Sequence, residues 1–304
     1  MMIYTLTYSP TIDYLMFPED LVLGKLNLSD HEAFFYGGKG INVSQVLSNL
    51  NVNSTALGFV AGFTGAEIES GLKKMGISTD FIHLPAGNSR INVKLRGAVE
   101  TEINALGPVI DERSMAELYE KLSHIGPEDI LILSGRRARG LPEDIYARLI
   151  QNLPYRDTKV VVDTSGETLL NTIAYSPFLI KPNLAELTDL FHQKFSASDI
   201  DFIGKAAKKL QKLGARNVLI SMAEDGAFLL TETGEKYYRP APSGVVVNSV
   251  GAGDSMIAGF IAEYLRSGNY ENALVMGIAA GSESSFREGL ATGDEIEQLY
   301  RLIR

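Results

Sequence analysis

Ile130-Leu131-Ile132-Leu133-Ser134 and Lys159-Val160-Val161-Val162-Asp163 are short apolar runs, each closing on a polar side chain. Between them, Glu143 to Asn152 carries its apolar residues at helical spacing. A strand buried on one face alternates apolar and polar residues. An unbroken run is what a parallel sheet covered by helices on both faces demands. The rhythm continues in both directions. A helix over Glu112 to Ile125 precedes the first run. Beyond the second come a helix (Glu167 to Ala174), a strand (Phe178 to Lys181), a helix (Ile200 to Leu213) and a strand (Asn217 to Ser221). Nearer the start, Ile3 to Tyr8 and Ser54 to Ala61 read as strands, and Ile41 to Leu50 and Gly65 to Met75 as helices. Phe228 to Arg239 reads as a meander at the sheet's edge. Three helices follow it, Ala252 to Arg266, Glu271 to Ser285 and Glu295 to Ile303. Strands alternating with helices predict an α/β fold, a doubly wound, mainly parallel sheet flanked by helices.

Two stretches break this rhythm. Residues 11–36 and 80–105 alternate apolar and polar side chains, and in the second Arg90 to Arg96 and Val99 to Ala105 read as a hairpin joined through Gly97. They predict a small β-sheet lid on a single domain spanning 1–304, with no repeat and no linker.

Composition narrows the function classes. The chain has 304 residues, 45% hydrophobic and 21% charged, which suits a folded globular protein rather than a disordered one. Its formal charge of -9 argues against nucleic acid and anionic membrane as partners. Any small anionic substrate must be met by local Lys, Arg or backbone N–H groups. Without cysteine there are no disulfides, no thiolate metal sites and no Cys nucleophile. The first residues lack a basic region followed by an apolar one, and no stretch approaches about 18 apolar residues, so a cytoplasmic protein is expected. The four His show no ligand spacing.

In an open parallel sheet, ligands bind beyond the carboxyl ends of the strands. Two glycine motifs open helices. The first is Gly37-Gly38-Lys39-Gly40-Ile41-Asn42-Val43-Ser44, which is neither a Walker A loop nor a Rossmann fingerprint. Alone, its plainer alternative is a tight turn with a helix cap. The second is Gly251-Ala252-Gly253-Asp254-Ser255 ahead of an apolar helix. Small residues there let backbone N–H groups face an anion, with the helix dipole adding attraction. Asp254 has two readings: a helix cap, or a base that accepts a hydroxyl proton beside the Gly251, Ala252 and Gly253 amides during phosphoryl transfer.

The two motifs in this order resemble those of the ribokinase-like carbohydrate kinases, within them the phosphofructokinase-B branch. The resemblance extends through Tyr4 to Thr7 with Pro10 and Asp13, Gly24-Lys25-Leu26-Asn27, Arg90-Ile91-Asn92-Val93, Ser134-Gly135, Val162 to Glu167, and Lys181-Pro182-Asn183 with Glu186. It implies ATP-dependent phosphorylation of a ketohexose phosphate, most readily fructose 1-phosphate. Tagatose 6-phosphate and fructose 6-phosphate are alternatives, and a catalytically impaired sugar-phosphate-binding regulator is a remoter one. By the same resemblance Asp254 is the base. Asp13, Asn42 and Asn92, with Gly37 and Gly38, hold the sugar. Lys25, Lys39 and Arg90 are cations for its phosphate, although Lys39 could equally be a solvated side chain. Lys181, Asn183, Ser221, Glu224, Gly226, Gly253 and Ala280 are matched to ATP. Glu186 is matched to Mg2+ through water, against the plainer reading of a first-turn helix carboxylate. A monovalent cation and a homodimer joined through the lid are further implications.

The chain also departs from that branch. Ser134-Gly135-Arg136-Arg137-Ala138-Arg139-Gly140 replaces a second Ser by Arg136 and lacks the usual Pro. Either Arg136 or a neighbour contacts the substrate phosphate as a bidentate partner, or the loop is a solvated basic segment. Leu28 stands where an Arg is common, and Ala223 where the nucleotide loop has a Gly.

Overall fold

The structure, a computed structural model, describes residues 1–304 except Glu19, Asp20 and Ala98. These three fall in the predicted lid segments 11–36 and 80–105, and that part of the expectation lies outside the described residues.

The chain opens with β1 (Ile3–Thr7), β2 (Thr11–Met16), β3 (Glu32–Gly37), α1 (Lys39–Asn49), β4 (Thr55–Val60) and α2 (Gly62–Lys74). Then come β5 (Ser78–Thr79), β6 (Ile82–His83), β7 (Arg90–Arg96), β8 (Glu100–Asn104), α3 (Glu112–Leu122) and β9 (Ile130–Ser134). The middle holds α4 (Ile145–Gln151), β10 (Lys159–Asp163), α5 (Gly166–Ile173), β11 (Leu179–Ile180), α6 (Leu184–Phe191) and α7 (Ile200–Leu213). Last are β12 (Asn217–Ser221), β13 (Ala227–Leu230), β14 (Lys236–Arg239), α8 (Ala252–Ser267), α9 (Tyr270–Ser285) and α10 (Gly293–Ile303).

Among the described residues the main sheet runs β14-β13-β12-β11-β10-β9-β1-β4-β5, with β6 also on β4. It is parallel except for β13 and β14, the meander at its edge. The opening run now explains itself. Leu131 and Leu133 pack with α3, α4 and α7 on one face, whereas Ile130 and Ile132 pack with α1, α8 and α9 on the other. All four are fully buried, each worth roughly 1.5–3 kcal/mol of transfer free energy. A polar residue at any of them would be buried in one helix layer or the other.

The lid is a separate sheet, β3-β2-β7-β8. β2 pairs with β3 antiparallel and with β7 parallel, in a register that sets Asp13 opposite Asn92. Residues 80–89 do not belong to it: β5 and β6 add to the main sheet beside β4, so the second lid segment begins at Arg90. Two further differences from expectation are local. α2 starts at Gly62 rather than Gly65, and α6 is a helix that periodicity did not predict. Its start is marked by a capping box instead, Asn183 accepting from the Glu186 N–H while Glu186 accepts from the Asn183 N–H.

From β1 the chain moves outward to β4, and from β9 it moves the other way through β10, β11 and β12. The switch point is therefore the crevice between the carboxyl ends of β1 and β9. The lid sheet and the starts of α1 and α8 converge there.

Candidate active site

α8 begins at Gly251, whose φ of 85° is left-handed, and has no side-chain cap. Asp254 is thus not the cap. It lies within the first turn, 4% exposed, and its Oδ2 accepts a 2.8 Å hydrogen bond from Asn42 Nδ2 of α1. The two glycine motifs, 212 residues apart, meet through this bond. Burial, and then the negative charge of Asp163, push the Asp254 carboxyl up to about 7, while Lys39, Asn42 and Lys181 pull the other way. A carboxylate held near neutrality can both take a proton and release it.

Asp163, the last residue of β10, is 1% exposed. Lys39 Nζ donates to its Oδ2 at 2.9 Å and Lys181 Nζ lies 3.2 Å from its Oδ1. Burial alone would raise this carboxyl, but the two ammonium groups outweigh it and hold it below its ordinary value. Lys181 is itself buried and sits under the start of α8. A Cβ on Gly253 would stand 3.0 Å from Lys181 Nζ. Glycine there lets an ammonium and the first helix amides approach the same point, a ready place for a phosphoryl group.

Across the crevice Asp13 Oδ1 accepts from Thr11 Oγ1 at 3.0 Å and from Asn92 Nδ2 at 2.8 Å. Asp13 and Asn42 line one half-open cleft between lid and body, with Tyr36, Gly37, Lys94 and Leu290 among its walls. Arg90 lies on the same lid face. Its Nη2 donates to the Ser9 carbonyl at 3.3 Å, and its Nε, buried, finds no partner among the described residues.

On the far side of Lys181, Asn183 caps α6 and stands next to Ser221, whose N–H donates to the Pro182 carbonyl at 3.1 Å. Glu186 does stand in the first turn of α6, where it makes the capping box, with one carboxylate oxygen on the Asn183 N–H. Its charge is nevertheless felt by Lys39, whose ammonium it helps to hold protonated. Among the described residues no group of three or more His, Asp or Glu side chains could hold a metal alone. A Mg2+ ion here would need most of its ligands from a bound anion and water. That is how Mg2+ is usually bound.

Not every expected residue reaches the crevice. Lys25 and Arg136 are exposed. Glu224 is exposed on a short 3₁₀ turn (Ala223–Asp225) that ends at Gly226. Ala280 is fully buried, against Gly259 in the packing of α8 on α9, and so has no surface to offer a nucleotide in this structure. Arg137 is occupied with Glu143 and the Leu141 carbonyl. Two site residues carry no role in the sequence reading. Asp163 gives no local signal, because its lysines are distant in sequence. Lys94 does give one, since alternation along the predicted hairpin sets it on the face of Arg90 and Asn92.

The model of the pfkB family carbohydrate kinases matches residues 4–297. The chain is 40% identical over 303 residues to a 1-phosphofructokinase of Bacillus subtilis, covering 100% of this chain and 99% of that protein. It is 36% identical to a D-tagatose-1-phosphate kinase of Bacillus licheniformis, again over 100% and 99%. Among solved structures, Escherichia coli phosphofructokinase-2 in complex with substrates and products superposes with a TM-score of 0.92 at 25% identity, covering 100% of this chain and 99% of that one.

Proposed function

The chain belongs to the pfkB family of carbohydrate kinases, and we propose that it phosphorylates fructose 1-phosphate at O6, using ATP and giving fructose 1,6-bisphosphate. The observation that carries this reading is the buried Asp254, hydrogen-bonded to Asn42 at the amide-rich start of α8, in a sugar-phosphate kinase 40% identical to a 1-phosphofructokinase. Asp254 takes the proton from the O6 hydroxyl as O6 bonds to the γ-phosphorus and the bond to the leaving ADP oxygen breaks. The amides of Ala252 and Gly253, with the Lys181 ammonium beneath them, hold the charge of the moving group. Asp13, Asn42 and Asn92 orient the hexose. Arg90, Lys25 and Arg136 meet its phosphate as the lid closes, and Lys39 stays with Asp163. Asn183, Ser221, Glu224 and Gly226 border the nucleotide. Mg2+ near Glu186 would neutralise phosphate charge when bound, and a monovalent cation belongs to the same proposal.

A second reading is favoured by the D-tagatose-1-phosphate kinase relative. Its substrate carries phosphate at C1, not at C6 as in the tagatose phosphate considered from sequence, so both sugars offer O6 to the same base. An ADP-release assay across fructose 1-phosphate, tagatose 1-phosphate, tagatose 6-phosphate and fructose 6-phosphate tests both readings. The expected result is the highest kcat/KM with fructose 1-phosphate. Preference for either 6-phosphate would overturn both.

Substrates of this kind place the enzyme in the cytoplasm. Among the described residues no helix is long and apolar enough to cross a membrane. Exposed Phe34 and Ile103, on the lid face turned away from the cleft, are the basis for a homodimer joined through the lids, which sedimentation at micromolar concentration would reveal.

A further inference from the structure

We propose that Lys94, on lid strand β7, binds the phosphate that the sugar already carries. The inference deepens the reading above and rests on it. None of the four cations named from the sequence borders the cleft that holds Asp13 and Asn42, whereas Lys94 and Arg96 do. Arg96 is paired with Glu100. Lys94 is different. It is 8% exposed, its carboxylate neighbour Glu102 is 3.6 Å away, and it makes no hydrogen bond among the described residues. Its ammonium borders the cleft with no hydrogen bond among the described residues, and an anion in the cleft would supply a charge-assisted one.

Register supplies the second observation. Asn92 and Lys94 share one face of β7, about 7 Å apart along the strand at its usual rise. Asn92 donates to Asp13, and its own Oδ1 is buried without a partner among the described residues. An unfilled acceptor beside Asp13 and an unfilled ammonium one step along the strand match a hexose phosphate lying on β7, a hydroxyl at the first and the phosphate at the second. Glu288 stands in the same cleft.

The rival role for Lys94 is structural, as half of a cross-strand pair with Glu102 that stiffens the lid. Three variants separate the two. Lys94→Met should raise KM for fructose 1-phosphate about 10- to 100-fold, the loss of one hydrogen bond to a charged group, with KM for ATP unchanged and kcat little altered. Lys94→Arg should restore most of that loss. Glu102→Gln should leave KM for the sugar phosphate unchanged or lower it. Unchanged KM in a folded Lys94→Met enzyme, or an equal rise in Glu102→Gln, overturns the proposal. If wild-type protein releases no ADP with fructose 1-phosphate, the fructose 1-phosphate reading fails, and calorimetric titration still decides the role of Lys94. Inorganic phosphate and fructose 1-phosphate should then bind wild type more tightly than Lys94→Met. Equal binding, or binding to neither protein, overturns it.

Discussion

The crevice has two walls that are finished to different degrees. On the body side the charges around Asp254 are already matched: Asn42 on Asp254, and Lys39 and Lys181 on Asp163. On the lid side Arg90 Nε and Asn92 Oδ1 are unpartnered among the described residues and Lys94 is short of a hydrogen bond, whereas on the body side the unpartnered atoms are two neutral hydroxyls, of Tyr8 and Ser134. Buried polar groups are almost always paired, so on the proposed reading the lid's charged and amide groups await a ligand, whereas the charges around Asp254 are matched before one arrives. Substitutions in the body should therefore change turnover, pH dependence or stability, and substitutions facing the lid should change KM.

The largest effect should come from Asp254. Asp254→Asn should fold and bind both substrates but lose about 10²–10⁴-fold in kcat, the range of a positioned general base. Turnover within tenfold of wild type would break the comparison at its strongest point. The same variant has a stability signature. Because folding raises the Asp254 pKa from 3.8 to about 7, the native state holds this proton more tightly than the unfolded chain. Wild-type stability thus falls as pH rises across that window. Asp254→Asn escapes this loss and should melt higher than wild type at pH 8, by a margin that shrinks toward pH 4.

Asp163→Asn should come next. It leaves the two ammonium groups without their carboxylate, and should destabilise the protein by about 3 kcal/mol or more in urea titrations. It also removes the charge that raises Asp254 and frees two cations that lower it. The acid limb of kcat/KM should then move to lower pH. An unmoved limb would mean that the body charges are not coupled as the geometry indicates. Asp163 has its own linkage, of opposite sign. Its depressed pKa gives stability that is complete above the ordinary Asp value and lost as pH falls below it.

Asp163 also marks the limit of what the sequence reveals. Apolar runs such as Ile130 to Leu133 give the strands, because burial on both faces is written into consecutive residues. Glycines before a helix mark a candidate anion site, because only small residues leave the amides open. Asp254 and Asn42 followed from those motifs. The partnership of Asp163 with Lys39, 124 residues away, has no local pattern, since β10 and α1 are brought together only by the winding of the sheet. Residues 80–89 read as lid from the sequence because a two-residue strand at the main sheet's edge, such as β6, is too short to show a period. Lys94 was legible in the alternation of β7, but a lysine on a strand predicted to stand apart from the body reads as solvated until the cleft beside it is known.

Arg136→Ser tests the unfinished wall more gently. Arg136 is exposed, and an exposed ion pair is worth at most about 1 kcal/mol. KM for the sugar phosphate should rise by up to about fivefold while kcat stays constant. A rise well beyond that would mean that lid closure buries the guanidinium, and the loop would then belong with the lid. No change would leave Arg136 as part of a solvated basic loop.

The smallest effect sharpens the comparison from the body side. Ala223 holds a φ of 51° at the turn after β12, left-handed backbone that costs an L-residue about 1–2 kcal/mol. Ala223→Gly removes the strain but gives the unfolded chain more freedom, which takes back about 0.4–1 kcal/mol. The net gain should be about 0.5–1 kcal/mol, a shift of roughly 2 °C in Tm for a chain this long. The turn precedes Gly226 and follows Ser221, so KM for ATP is the second readout. A body wall set before substrates arrive holds Ala223 in the same conformation with and without nucleotide. Relief of strain should then raise the melting temperature equally in both states, leaving KM for ATP unchanged. If Ala223→Gly instead alters KM for ATP, the strain is taken up or released on nucleotide binding, and the body wall is less finished than its charge pairs indicate.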